Sequence, residues 1–107
     1  MKIKVDGCFL SPERVIAGTM GSIGETRLDM YFGKDWDGFD KIIVFRTPLG
    51  KVVQSRCDQD GACIPEEVMR ERGKSSFCVV GEQGGIKRRT LCGELYVLGT
   101  IDTGDDI

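Results

Sequence analysis

Apolar and polar residues alternate with a period of two through much of this chain. Ile3 and Val5 are flanked by Lys2, Lys4 and Asp6, and read as the inward side of a first strand. Ser11-Pro12-Glu13 breaks the chain, and Val15-Ile16-Ala17 resumes it. Across Thr26 to Phe32 the alternation is clean, with Leu28, Met30 and Phe32 on one parity. Lys41 to Arg46 differs: its centre, Ile42-Ile43-Val44-Phe45, is continuously apolar and predicts a strand buried on both faces. Thr47-Pro48-Leu49-Gly50 reads as a turn, after which Lys51 to Arg56 returns antiparallel. Asp58-Gln59-Asp60-Gly61 is a second turn. Ser76 to Gly81, Ile86 to Leu91 and Leu95 to Leu98 supply the last strands, the first two joined by a hairpin at Glu82-Gln83-Gly84-Gly85.

The pattern predicts one short helix, near residues 65–72. Pro65 suits its first turn, where a missing N–H is harmless. Glu66 and Glu67 favour the positive end of the helix dipole, Arg70 and Arg72 the other end, and Gly73 a stop. Val68 and Met69 would pin this turn to the core. Seven or eight short strands with frequent turns predict an all-β, mainly antiparallel fold, a small immunoglobulin-like β-sandwich. A chain of 107 residues suits one domain, expected over 1–101, with a polar, frayed tail over 102–107.

Composition narrows the function more than it names it. The net charge of -2 argues against broad binding to a nucleic-acid backbone. No apolar run reaches the roughly 18 residues that span a bilayer. Met1 to Asp6 has basic residues but no apolar core behind them, so a secretory leader is not expected. There is no histidine, which removes Ser-His-Asp and Cys-His catalysis. Five cysteines, Cys8, Cys57, Cys63, Cys78 and Cys92, lack zinc-site spacing and are expected to be reduced and mostly buried. Asp35, Asp37, Asp58, Asp60, Asp105 and Asp106 fall at turns or in the tail, where solvation explains them. Glu66 and Glu67 come too early to complete a calcium loop begun at Asp58. Lys87-Arg88-Arg89 reads as a solvated strand face. Gly18-Thr19-Met20-Gly21-Ser22-Ile23-Gly24 lacks the lysine of a phosphate loop and is expected to be a partner-contacting loop, through Gly18, Met20, Gly21 and Ile23. No catalytic residue, metal or cofactor is expected.

Three segments carry a resemblance. Trp36-Asp37-Gly38-Phe39-Asp40-Lys41-Ile42-Ile43-Val44-Phe45 is similar to a tryptophan-x-glycine-leucine-x-lysine-x-x-x-phenylalanine segment. Cys63-Ile64-Pro65-Glu66-Glu67-Val68-Met69 is similar to a cysteine-x-isoleucine-proline-x-glutamate-valine-leucine turn, and Phe77-Cys78-Val79-Val80-Gly81 with Gly84-Gly85 to a valine-x-valine-x-glycine strand and turn. In this order they resemble a module of tail, baseplate and minor structural proteins of phages and prophages of Gram-positive bacteria, itself similar to the N-terminal domain of baseplate upper proteins. The likeness spans roughly residues 1–101; Phe39 replaces the usual leucine.

The resemblance implies a small β-sandwich and structural roles. Trp36 would cap one end, Gly38 would let the chain turn into the central strand, and Phe45 would fill the core. Pro65 would start the helix bridging the sheets, with Ile64 and Val68 beside it. The implied function is a non-enzymatic virion structural protein, docking in a tail, baseplate or other particle through strand edges or the Gly18–Gly24 loop. Its expected partners are other phage structural proteins and further copies of itself, with neither nucleic acid nor membrane. It would be made in the bacterial cytoplasm and end in the virion. The alternative is a small intracellular regulator or inhibitor acting on a protein partner through acidic loops. The stalk and host-binding parts of the family lie beyond the matched segment, so no host-binding role is carried over.

Overall fold

A computed structural model describes residues 1–23, 26–58 and 60–99. The expected tail at 102–107, residues 100–101 of the expected domain, Gly24 of the loop and Gln59 of the second turn lie outside the described residues. The strands are β1 (Lys2–Asp6), β2 (Phe9–Ser11), β3 (Arg14–Thr19), β4 (Arg27–Phe32), β5 (Asp40–Arg46), β6 (Val52–Cys57), β7 (Gly61–Cys63), β8 (Gly73–Gln83), β9 (Ile86–Arg89) and β10 (Gly93–Leu98). They form two sheets, ordered β2-β1-β4-β7 and β3-β10-β8-β5-β6, with β9 added to β8. The run β10-β8-β5-β6 has the G-F-C-C′ order of an immunoglobulin variable-type sheet. Two pairings are parallel, β1 with β4 and β3 with β10; the others are antiparallel.

Strand alternation builds the core directly. Ile3, Val5, Leu28 and Met30 point inward from the smaller sheet, and Val15, Ile43, Phe45, Phe77, Val79, Leu95 and Val97 meet them from the larger. All belong to one apolar cluster, as two facing sheets require. Phe45 and Phe77 lie side by side with ring centroids 6.3 Å apart. The expected helix is shorter than 65–72: only Glu66–Met69 is helical, a single turn after Pro65. Arg72 and Gly73 are already outside it, because Gly73 adopts φ +124° and opens β8. Val68 and Met69 are nevertheless fully inside the core, so the turn is held by burial rather than by helix length.

Two further expectations need correction, and one strand was not anticipated. β5 is buried on one face only: Ile43 and Phe45 are fully covered, whereas Ile42 and Val44 are half-buried on the other side. Among the described residues no layer covers that second face. β2 was not legible, since its three residues pair only with β1. The cysteines are free but not mostly buried: Cys8, Cys63 and Cys92 are exposed, and Cys57 and Cys78 are intermediate.

Trp36 closes one end of the sandwich from a short 3-10 turn, Lys34–Trp36, between β4 and β5. It is fully buried. Its Nε1–H donates to the Gly7 carbonyl at 3.0 Å, in the turn between β1 and β2. Its ring lies against Phe32 at 5.6 Å and Phe39 at 6.0 Å between centroids. On β8 it is pressed onto bare backbone, and a Cβ built on Gly81 would sit 2.7 Å from Trp36 Cζ3. Gly38 takes φ +81°, a left-handed turn that aims the chain from the tryptophan into β5.

Two experiments check this packing and the thiols. Trp36→Ala is expected to lower unfolding free energy by about 3–5 kcal/mol in denaturant titration, through loss of buried ring and a cavity. Gly81→Ala is expected to cost about 1–3 kcal/mol from the opposite fault, overpacking against that ring; an unchanged midpoint for either variant would show that the contact is not tight. Burial, and next the Asp58 carboxylate, push the Cys57 thiol up to about 11. In time-resolved alkylation at about pH 8, Cys8, Cys63 and Cys92 should therefore be modified first and Cys57 last. The unfolded thiol ionises from about pH 9 and the folded one only near 11, so Cys57 makes rising pH in that window destabilising.

Candidate docking surface

Among the described residues nothing forms a layer over the outer face of the larger sheet, and strand parity dictates what that face displays. Residues facing away from the core include Arg14 and Ile16 on β3, and Glu94, Tyr96 and Leu98 on β10. At this margin the apolar residues lie together. Ile16 is paired in register with Tyr96, and Ile16 is 61% and Leu98 47% exposed. With Val15 and Arg14 they line a shallow depression of about 380 Å³. Isolated apolar side chains on a surface need no explanation, but a contiguous set does.

A polar rim borders this patch. Arg14 Nε bonds Glu94 Oε1 at 3.0 Å, and Lys74 Nζ lies 3.4 Å from Glu94 Oε2. The Tyr96 hydroxyl donates to Glu94 Oε2 at 3.1 Å. Desolvation pushes the Glu94 carboxyl up, but the hydrogen bonds from Tyr96, Lys74 and Arg14 together outweigh it and hold the group below its ordinary value. The rim is thus a fixed anion between two cations, beside a greasy margin.

The glycine-containing loop continues from this edge. Its first part is anchored: Met20 N–H donates to the Leu98 carbonyl at 2.8 Å, and Gly21 N–H to the Met69 carbonyl at 2.9 Å. Gly18 is half-buried, with Met69 Cε 3.8 Å from where its Cβ would be. Met20 packs on the core, while Gly21 and Ile23 are exposed. Of the four residues expected to meet a partner, the structure therefore presents Gly21 and Ile23, and gives Gly18 and Met20 to anchoring. β3 is itself an edge strand, but its register shifts between Tyr96 and Val97, leaving Ala17 as a bulge. A bulge discourages addition of a further strand, so β3 offers its face more readily than its edge.

The other predicted residues are structural. Trp36, Phe45 and Val68 are fully buried, Ile64 is nearly so, and Pro65 is half-buried at the helix start. Ile16, Tyr96 and Leu98 were missed. The available signal was three apolar residues in a row at Val15-Ile16-Ala17, one of which had to face outward in any strand.

The acidic turns are engaged. Asp58 Oδ1 accepts from the Asp60 and Gly61 N–H groups at 2.8 and 2.9 Å. Arg27 Nη2 meets both its oxygens at 3.3 Å. The Asp60 N–H first, and Arg27 and Gly61 with it, hold the Asp58 carboxyl below its ordinary value against a weaker opposing effect of desolvation. Asp35 pairs with Arg88, whose guanidinium also donates to the Asp35 carbonyl and lies over the Trp36 and Phe39 rings. Arg88, in the middle of the basic run, is thus part of the tryptophan packing. Among the described residues no three Cys, Asp or Glu side chains are gathered to hold a metal ion. No protein-family model and no curated protein matches the chain.

Proposed function

We propose that this chain is a non-enzymatic docking module of a phage or prophage particle, bound within a tail, baseplate or other virion assembly to another structural protein. The observation that carries the docking reading is the apolar margin at Ile16, Tyr96 and Leu98, exposed on a sandwich whose core is already filled and bordered by the Arg14–Glu94–Lys74 rim. An apolar centre with a polar border is the composition of protein interfaces. The resemblance of the Trp36–Phe45 and Cys63–Met69 segments directs the choice of partner toward phage structural proteins. On this reading the protein is made in the bacterial cytoplasm, ends in the virion, also associates with copies of itself, and uses no cofactor, nucleic acid or membrane.

The acidic turns offer less to a regulator or inhibitor of a basic partner. Asp35 and Asp58 already hold Arg88 and Arg27, so a partner would have to displace those cations before using them.

Mass spectrometry of particles purified from an induced lysogen encoding the chain should detect it as a stoichiometric component; its absence would defeat the proposal. The paired change Ile16→Asp and Leu98→Asp should leave far-UV circular dichroism unchanged and remove the protein from particles. Undiminished incorporation would place docking on another surface.

A further inference from the structure

The outer face of β6, β5, β8 and β9 carries a charge pattern that changes sign along β5 when turned end for end. Cross-strand register sets it out in four rows. The first holds Asp40 on β5, Glu82 on β8 and Lys87 on β9. The second holds Arg56, Ile42, Val80 and Arg89, and the third Gln54, Val44 and Cys78. The fourth holds Val52, Arg46, Ser76 and, on β10, Glu94. On β5 and β8 the centre is therefore apolar, flanked by Arg56 and Gln54 on β6 and Arg89 on β9, and β5 is acidic at one end and basic at the other. Among the described residues neither Asp40 nor Arg46 forms an ion pair.

We propose that a second copy of this chain packs on this face, about a two-fold axis that lies in the interface and runs across the strands. Such an axis reverses strand direction and keeps each strand over its own counterpart. The first row then meets the partner's fourth row, and the second meets the third. Asp40 faces the second copy's Arg46, a contact that occurs twice, and Lys87 comes opposite its Glu94, which already holds Arg14 and Lys74 and so contributes less. Ile42, Val44, Cys78 and Val80 meet the same four residues of the other copy. An isologous interface needs a patch complementary to itself, and this end-for-end charge reversal around an apolar centre meets that condition. An axis along β5 would instead set Asp40 on Asp40 and Arg46 on Arg46, and one midway between β5 and β8 would set Asp40 on the acidic Glu82.

The packing is that of two aligned sheets about 10 Å apart. Four strands about 4.8 Å apart and seven residues at about 3.3 Å each give roughly 400 Å² per copy in projection. Specific interfaces remove about 800 Å² of accessible surface per partner, so this pair belongs at the weak end and should dissociate in the micromolar range. The proposal gives the self-association in the proposed function a face and a symmetry, and rests on that reading only to that extent.

Sedimentation velocity of the full chain from about 1 µM to about 1 mM should show a monomer–dimer equilibrium. Val44→Glu should leave a folded monomer throughout. Asp40→Arg alone and Arg46→Asp alone should each weaken the dimer by about tenfold or more, since each sets like charges opposite one another twice. The double reversal should recover the original affinity, an outcome that general surface damage does not produce. A monomer over the whole range, a dimer indifferent to Val44→Glu, or a double reversal without recovery would overturn the proposal. Particle incorporation is scored separately. A monomer found in particles would sink this interface and leave the docking role, and a dimer absent from particles would do the reverse.

Discussion

The packing of Trp36 on the Gly81 backbone is the contact from which the rest of this sandwich can be reconstructed. One ring touches Gly81 of β8, Phe32 of β4 and Phe39 ahead of β5, and its N–H reaches the turn between β1 and β2. It therefore ties both sheets together at one end. No side chain fits between ring and strand at position 81, so the distance between sheets at that end is set by an indole against bare backbone. Arg88 finishes the arrangement from outside, its guanidinium over Trp36 and Phe39 and its charge matched by Asp35. A half-buried cation over aromatic faces adds stabilisation to burial.

That closure divides the molecule into a filled interior and an uncovered outer sheet. The same alternation that sends Ile43, Phe45, Phe77 and Val79 inward obliges Ile42, Val44, Cys78 and Val80 to face out. β5 and β8 carry apolar residues on both sides although the described residues cover only one side. A sheet that needed only solvation on its second face would carry polar residues there. The apolar margin at Ile16, Tyr96 and Leu98 raises the same point on β3 and β10. The two regions meet at the Arg14–Glu94–Lys74 group, and on the readings proposed above one serves a different partner and the other a second copy of the chain.

Much of the fold was legible because period-two alternation is a local property. The parity of Leu28, Met30 and Phe32 and the hairpin at Gly84-Gly85 needed only neighbouring residues to be read. The reading of β5 as doubly buried failed for an instructive reason: a continuous apolar run reports that both faces avoid water, not whether the cover lies in the same chain. The helix was overextended because Arg70, Arg72 and Gly73 satisfied end signals, while the φ +124° of Gly73 committed the chain to β8 sooner. β2 escaped notice because three residues carry too little pattern.

The sequence by itself determined the class of fold, the inward residues of most strands and the place of Trp36 as a core residue, since alternation, turn chemistry and the burial of large aromatics act over short distances. It also determined that any site would lack histidine chemistry. Only the tertiary structure decided what the outward residues form. Ile16 and Tyr96 are 80 positions apart, and Asp40 and Glu82 are 42 apart; strand register alone makes each pair neighbours. Surface complementarity arises from such pairings, and register is settled by the whole core, which no local pattern contains.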